Sequence, residues 1–420
     1  MSERDPNAGA LWRNTNFRWL CGGGVISLLG DQFTLIALPW LVLKLSGDPL
    51  ALGGVLAAMG APRAVLMLVG GALVDRSSPR RILLLTKYAN ALLIGLLGAL
   101  VLMERVDMTL VYVLAAAIGV CSAFAWPAGS ALLPGVIEPA LLAPANGILM
   151  GMRQVAMLFG PLLAGVVIAA GGDTGGGIAD ASGLGIALLF DALSYLVSAA
   201  TLARVRPLNQ TPPAANKPPL LDSLKAGLRY CWDDTTLRAC FLYWGAMALF
   251  VSGPLQVAMP LLAERLGGAG TYGSLMAAHG AGMLAGMLLS SVRPGLRIAN
   301  FGTTLLVADG VVGLLFIAMA DVAGMWQAIG LLVALGVIGG YLQVAMMSWL
   351  QKRISLDMLG RGMALLMFLF MGLAPVSAAL SGWLVGVVGL GAIFAGAGVA
   401  MLVVVLFGYV ATPIRHLRET

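Results

Sequence analysis

Long apolar stretches alternate with short polar turns along the whole chain. An α-helix rises about 1.5 Å per residue, so about 20 apolar residues are enough to cross a hydrocarbon core of about 30 Å. Twelve stretches meet this length, at about 18–45, 50–74, 82–103, 109–131, 146–170, 184–204, 237–262, 271–291, 300–320, 325–349, 361–385 and 389–411. The pattern therefore predicts an all-α membrane protein with 12 transmembrane helices.

The composition excludes a soluble protein. Hydrophobic residues make up 60% of the chain and charged residues only 10%, whereas soluble proteins carry roughly 25% charged residues. The formal net charge is +6, but the basic residues lie in loops between apolar stretches, so this charge does not imply a nucleic-acid partner. The expected surroundings of the chain are a lipid bilayer. Glycine pairs that let membrane helices pack closely occur at Gly147/Gly151, Gly282/Gly286, Gly336/Gly340 and Gly382/Gly386.

Lysine and arginine are distributed unevenly between the two sides of the predicted membrane. With the N-terminus inside, 20 of the 25 basic residues fall in cytoplasmic segments, Lys87 among them, and 3 fall in outside turns; Arg63 and Arg153 lie within spans. Cytoplasmic loops carry such an excess of basic residues. The asymmetry predicts that both termini lie in the cytoplasm.

The two halves of the chain are related. The segment 36–47 matches the segment 257–268 at a constant offset of 221, with proline, a basic residue and glycine at the same places. We therefore predict two pseudo-symmetric six-helix bundles, at 1–204 and 237–420. Parallel halves with a site near the midplane between them are a transporter architecture.

The connector 205–236 between the halves has two parts. The first, LNQTPPAANKPP, is rich in proline and reads as an extended linker. The second, LLDSLKAGLRYCWDD, has apolar residues at helical spacing and predicts an amphipathic helix on the membrane surface. A solvated linker helix without membrane contact is the alternative.

Ionisable and amide side chains inside the predicted spans are candidates for a proton-coupling or substrate cavity, because burying a charge in a bilayer is costly. These candidates are Asp31, Gln32, Arg63, Arg153, Gln154, Asp191, His279 and Asp309.

Asp31 is the best candidate for proton coupling, since a buried carboxyl can bind and release a proton. The alternatives are a structural ion pair with Arg63 and a direct contact with substrate. Arg153 and Arg63 suit an anionic group of a substrate, whereas Arg153 can also extend to the cytoplasmic face. His279 is either a titrating group or a packed, hydrogen-bonded histidine.

The loop after the second span carries Gly71-x-x-x-Asp75-Arg76-x-x-x-Arg80-Arg81. This motif resembles the loop signature of the major facilitator superfamily, and the resemblance covers essentially the whole chain. It implies a conformational gate formed by these residues, with the start of the eleventh span near Arg361 as the partner of Asp75. Arg80 and Arg81 can alternatively serve only as topology signals.

Other segments resemble one branch of that family, the bacterial macrolide-efflux and enterobactin exporters. They include Leu29-Gly-Asp-Gln-Phe33, Trp126-Pro-Ala128, Gly160-Pro161, Met358-Leu-Gly-Arg361 and Ile414-Arg-His-Leu-Arg418. One departure is the fourth span, which has no arginine in 118–127, where many proton-coupled drug antiporters carry one. A standard proton relay is therefore not assigned.

The leading hypothesis is a secondary active exporter in the bacterial inner membrane. It moves a small amphipathic organic molecule out of the cytoplasm by alternating access and proton antiport, and siderophore export competes with drug or macrolide efflux. The alternative is a lysophospholipid flippase of the same fold. The sequence has no P-loop, so ATP is not the direct energy source. With only two histidines, His279 and His416, and no HExxH motif, we expect no enzyme activity. We also expect no metal and no cofactor, and we expect a monomer.

Overall fold

The computed structural model describes residues 11–172, 181–206, 220–293, 295–355 and 358–417, with the side chains of 68–76 and 220–224 excepted. Twelve helices in these ranges are long and apolar enough to cross a membrane. The same ranges contain no β-strand. The prediction of an all-α protein with 12 transmembrane helices is confirmed.

The first six spans are single helices. They are α1 (Thr15–Ser46), α2 (Pro49–Arg76), α3 (Pro79–Leu102), α4 (Met108–Leu132), α5 (Leu142–Ala170) and α6 (Ser182–Ala203). Two 3₁₀ turns, Leu133–Gly135 and Pro139–Leu141, connect α4 to α5.

The predicted amphipathic segment forms a helix, α7 (Leu220–Asp233), and six further spans follow it. The seventh span consists of α8 (Thr235–Gly253), a π-turn (Pro254–Ala258) and α9 (Met259–Leu266). The remaining spans are α10 (Ala269–Val292), α11 (Phe301–Ala318), α12 (Met325–Arg353), α13 (Leu359–Val388) and α14 (Leu390–Ala411). Short 3₁₀ turns, Met319–Asp321 and Pro413–His416, follow α11 and α14.

Equivalent glycines end the first span of each half. Gly47 has φ +60° and Gly268 has φ +94°, and these two residues correspond at the sequence offset of 221. Left-handed backbone is readily adopted only by glycine. The repeat read from the sequence therefore recurs in the turn geometry.

The chain divides into two compact units. Unit 1 comprises Met1–Ser46 and Ala61–Lys217, and unit 2 comprises Gly47–Gly60 and Pro218–Thr420. The boundary thus falls inside α2, just before Pro62, because the start of α2 packs with the second half of the chain. The sequence predicts a linear division into 1–204, 205–236 and 237–420, whereas in the structure the segment 47–60 belongs to unit 2.

Unit 1 is organised around α6, which packs against α1, α3 and α5. A Cβ on Gly95 would lie 3.4 Å from the Cβ of Ala192, and one on Gly98 would lie 3.1 Å from the carbonyl oxygen of Gly185. These two pairs show that α3 and α6 run antiparallel in close contact. An apolar core with Phe17, among other residues, fills the end of unit 1 where α1 begins.

The closest helix pair in unit 2 is α10 with α12. A Cβ on Gly282 would collide with the carbonyl oxygen of Val333, and one on Gly340 would collide with that of Met283. The glycine pairs Gly282/Gly286 and Gly336/Gly340 therefore meet each other across this interface. Gly147, Gly151 and Gly386 have nothing within 4 Å of a Cβ, so their spacing alone does not create a contact.

Within unit 2, the amphipathic helix α7 packs against α8 and α13. Its Cys231 is buried, while Leu228 and Trp232 are about half exposed. Asp234 then caps α8, and its carboxylate accepts a 2.7 Å ion-paired hydrogen bond from Arg353. Burial opposes ionisation of Asp234, but the hydrogen bonds from the Leu237 N–H and from Arg353 outweigh it and lower the pKa of this carboxyl.

Candidate functional site

Polar side chains of unit 1 meet where α1 crosses α6. Gly30 of α1 lies directly against Ser194 and Asp191, and Gly23 lies against Thr201; a Cβ at either glycine would overlap those side chains. The absence of a side chain on these glycines lets the two helices approach closely. Polar groups of α6 are thereby brought beside the middle of α1.

Asp31 of α1 lies at the centre of this region and is partly buried. Its Oδ1 accepts a 2.7 Å hydrogen bond from the Tyr195 hydroxyl. Three cationic side chains act electrostatically on its carboxyl: Lys87 of α3, Arg63 of α2 and Arg153 of α5. Burial of a carboxylate inside a membrane span is costly, and the Tyr195 hydroxyl and these three cations offset part of that cost.

Lys87 of α3 contacts both α1 and α6. Its Nζ lies 3.4 Å from the Ser27 Oγ and 5.5 Å from the centre of the Tyr195 ring. Its charge acts on Asp31 and on Asp191. Lys87 is therefore the counter-charge that two buried carboxyls share.

Asp191 is a second carboxyl in the same region, and its side chain is fully buried. It accepts a short hydrogen bond from the Thr34 hydroxyl and a 3.1 Å hydrogen bond from the Ser194 hydroxyl. When both are ionised, the carboxylates of Asp191 and Asp31 repel each other. The charge of Lys87 offsets this unfavourable pair of like charges.

Arg153 lies over an aromatic ring, with its guanidinium carbon 4.7 Å from the centre of the Trp126 ring. The attraction between a cation and a ring face strengthens when both are removed from water. Nearby, Gln32 packs on Gly160, where a Cβ would collide with it. Among the described residues, neither Arg153 nor Arg63 has an acidic group within ion-pair distance.

Unit 2 contains its own buried carboxyl, Asp309 of α11, whose Oδ2 accepts a 2.7 Å hydrogen bond from the Tyr243 hydroxyl. Within the described ranges, Tyr243 is the sole polar side chain that acts on Asp309, and no cation does so. His279 bonds to the backbone of Leu332, and its Nδ1 is buried without a described partner. Asp309 and His279 therefore belong to unit 2, whereas the cluster around Asp31 belongs to unit 1.

An apolar cavity of about 390 Å³ also lies in unit 2, between α8, α13 and α14. Phe250, Ser377 and Ser381 are among its lining residues, and none of the lining residues is charged. The cavity can hold hydrocarbon, but it offers no group for proton exchange. The charged cluster of unit 1 is therefore the stronger candidate for coupling.

The sequence matches the Major Facilitator Superfamily over residues 20–376. This chain belongs to the major facilitator superfamily. It is thus a multi-pass membrane transporter of small-molecule substrates that sits in the lipid bilayer. A search of curated proteins by sequence finds no match.

Solved structures of superfamily transporters share the fold. A bacterial homologue of the human lysosomal transporter Spinster has a TM-score of 0.66 and 13% identity, with 98% of this chain and 97% of that chain covered. The nucleoside transporter NupG has a TM-score of 0.73 and 10% identity, with 94% of this chain and 98% of that chain covered. A bacterial homologue of the iron transporter ferroportin has a TM-score of 0.70 and 16% identity, with 95% of this chain and 99% of that chain covered. At these identities the likeness shows the fold alone.

The structure of this superfamily member brings together four residues that the sequence singles out: Asp31, Arg63, Arg153 and Asp191. Arg63 is not in ion-pair contact with Asp31; the direct partner of Asp31 is Tyr195. Gln32 adjoins the cluster on α1, and Gln154 is partly buried on α5.

The predicted gate is described only in part. Arg80 lies at the end of α6, where its Nη2 donates a 2.5 Å hydrogen bond to the Ala203 carbonyl, and Arg81 is exposed. Arg361 packs against Gly227 of α7. The surroundings of Gly71 and the side chains of Asp75 and Arg76 are not among the described features, so the gate remains a prediction.

Sequence reasoning missed several members of the cluster. The topology count places Lys87 among cytoplasmic residues, whereas the structure places it inside unit 1, because α3 already begins at Pro79. Tyr195 was also missed, although it follows Asp191 by one helical turn and so shares its face. Thr34 is hard to find from sequence, because a hydroxyl in an apolar span is common.

Proposed function

We propose that this superfamily member is a secondary active exporter, which moves a small amphipathic organic molecule out of the cytoplasm by alternating access and proton antiport. The observation that carries the proposal is the environment of Asp31. A carboxyl inside a membrane span accepts a hydrogen bond from Tyr195 and lies within the influence of three cations. Ionisable groups at such depth mark ion and substrate pathways.

Antiport requires that the proton and the cargo replace each other. A proton on Asp31 removes the negative charge that offsets Lys87, Arg63 and Arg153. A hydrogen-bond donor or cationic group of the cargo satisfies the same carboxylate once the proton has left. Proton and cargo are then alternative occupants of one carboxyl, and an inward proton gradient drives cargo outward.

Arg153 and Trp126 provide a surface for the rest of the cargo. The guanidinium over the ring offers hydrogen-bond donors beside an aromatic side chain. Such a surface suits amphipathic molecules with rings and polar groups, which include siderophore-like and drug-like compounds. The sequence resemblance to the enterobactin-exporter and macrolide-efflux branch supports the same classes of cargo. We further propose that the protein lies in a bacterial inner membrane as a monomer. The distribution of basic residues supports cytoplasmic positions for both termini.

Comparative metabolite profiling of cells and medium tests the proposal. A deletion strain is compared with strains restored by wild type, by Asp31→Asn and by Asp309→Asn, each grown with and without iron. We expect a metabolite to accumulate in deletion cells and to be released by wild type and Asp309→Asn, but not by Asp31→Asn. Release of an iron chelator identifies siderophore export, and drug sensitivity without a released metabolite identifies efflux. A change confined to lysophospholipids would replace the proposal by a lipid flippase.

A further inference from the structure

The cavity of unit 2 is elongated along α13. The lining residues on this helix are Ser377, Leu380, Ser381, Leu384 and Val388. They follow one another at intervals of one to four residues that keep them on a single face of the helix. From 377 to 388 this stripe rises about 16 Å, which is close to half of a hydrocarbon core of about 30 Å. The cavity therefore runs from the middle of the bilayer to the end of α13.

Small residues of α14 create the space. Ala392, Gly396 and Ala397 line the cavity, and a Cβ added to Gly396 would have nothing within 4 Å. Gly398 differs, because a Cβ there would collide with the carbonyl oxygen of Gly313 on α11. Close helix packing thus accounts for Gly398, whereas Gly396 faces open space.

The wall of the cavity at the seventh span is a break in the helix. Pro254 has no N–H, and a π-turn begins at this residue. Ser377 satisfies two backbone groups beside the break: its hydroxyl donates to the Leu249 carbonyl and accepts a 2.6 Å hydrogen bond from the Gly253 N–H. These polar groups are thereby paired with each other, and the lining of the cavity stays apolar.

The cavity is open on one side. Pro254 and Ile393 are buried in its depth, whereas Leu380 and Val388 are 44% and 50% exposed at its rim. Both rim residues belong to a membrane span, where the surroundings are hydrocarbon. A volume of about 390 Å³ lies within the range of about 300–1,000 Å³ of small-molecule sites, and an empty apolar space forfeits dispersion contacts.

We propose that this cavity binds one acyl chain of a bilayer lipid. Its length along the helix, its opening towards hydrocarbon and its lining without a charged residue all select an alkyl chain. The lipid headgroup stays at the bilayer surface, beyond Val388. The bound chain contacts Phe250 and Pro254, so it supports the seventh span where its helix is interrupted. This site is separate from Asp31 and does not depend on the proposed proton antiport.

Photo-crosslinking of the purified full-length protein in nanodiscs tests the inference. The bilayer contains phosphatidylcholine with a diazirine near the methyl end of one acyl chain, and mass spectrometry of peptides locates the attached lipid. Pro254, Ile393 and Ala397 are buried, so only a chain that enters the cavity labels them. Leu406 and Phe407 of α14 are 63% and 64% exposed and report the lipid that surrounds the protein.

Gly396→Leu is the variant that fills the cavity. Gly386→Leu is its matched control, because it also places a leucine where a Cβ meets nothing within 4 Å but does not line the cavity. Ala392→Leu fills the same space from the exposed side of α14 and serves as a second filling variant. Thermal unfolding shows which variants are folded.

We expect wild type and Gly386→Leu to be labelled at the buried lining residues, and both filling variants to lose this label while 406 and 407 stay labelled. Absence of label at the buried residues of wild type overturns the inference, and so does wild-type labelling in a folded filling variant. Loss of the label from wild type on addition of the macrolide erythromycin would assign the cavity to cargo and also overturn it. None of these outcomes bears on the role of Asp31.

Discussion

The Tyr195 hydroxyl donates a 2.7 Å hydrogen bond to Oδ1 of Asp31. Unit 2 holds a pair of the same chemistry and length, Tyr243 with Asp309. The two carboxyls differ in their charged surroundings. Three cations act on Asp31, whereas none of the described residues brings a cation to Asp309.

This difference makes Asp309→Asn a matched control for Asp31→Asn. We expect Asp31→Asn to reduce transport driven by a pH gradient about 100-fold in proteoliposomes, because an amide cannot take up the proton. Exchange of labelled cargo without a gradient should continue, since the hydrogen-bonding shape is kept. Asp309→Asn should retain gradient-driven transport. Loss of gradient-driven transport in both variants to the same extent would contradict a special role for Asp31.

Lys87 and Asp191 should be energetically coupled, because the Lys87 charge acts on this fully buried carboxyl. Lys87→Gln leaves two carboxyls with less counter-charge and should lower the unfolding temperature. Adding Asp191→Asn should recover part of the loss, with a coupling of about 0.5–3 kcal/mol. Thermal unfolding of the two single variants and the double variant in detergent measures this. Strictly additive effects would show that the two charges act independently.

The contact between α10 and α12 predicts a site-specific effect of glycine replacement. A Cβ at Gly336 would collide with the backbone of α10, whereas Gly339 has nothing within 4 Å. We expect Gly336→Leu to lower the unfolding temperature by about 5 °C or more and Gly339→Leu to leave it unchanged. Both substitutions add the same apolar side chain to the same helix, so equal unfolding temperatures for the two variants would argue against close backbone packing.

Asp234 predicts a stability effect in acid. Its pKa is lowered in the folded protein, so the ionised carboxylate contributes stability above the ordinary pKa of about 3.9. That contribution is lost as the pH falls through the lowered value. The difference in unfolding temperature between wild type and Asp234→Asn should therefore be present near neutral pH and shrink below about pH 4.

Asp233→Asn is the control for this prediction, because the side chain of Asp233 is 70% exposed while that of Asp234 is 28% exposed. Exposed ion pairs contribute little, so Asp233→Asn should match wild type across the pH range. Because asparagine caps a helix about as well as aspartate, a pH-independent difference for Asp234→Asn would contradict the assignment of this effect to the charge of Asp234.

Much of the fold follows from sequence because the bilayer imposes its own length scale. The apolar stretches predict the 12 spans, and the offset of 221 predicts the equivalent turns at Gly47 and Gly268. The packing of 47–60 with the second half could not be predicted, since it depends on which helices approach Gly53 and Gly60. A sequence gives the ends of α2 but not its neighbours.

Only the charged residues that lie inside the spans could be predicted as members of the candidate site. Asp31 and Asp191 stand out because a carboxylate inside a membrane demands an explanation. Lys87 was misplaced because a lysine near a helix start usually reaches the water. Tyr195 could not be predicted, since a tyrosine in an apolar span is common and its partner Asp31 lies on another helix.

The glycine faces of α10 and α12 also bear on how the protein is made. α10 leaves the ribosome first, and α11 follows before α12 is complete. Until then the groove along Gly282 and Gly286 faces lipid tails, which cannot fit it as the backbone of α12 does. The second half of the chain can therefore complete this contact only after its tenth span has entered the bilayer, so a chain truncated before Gly336 should be recognised by the cell as unfinished.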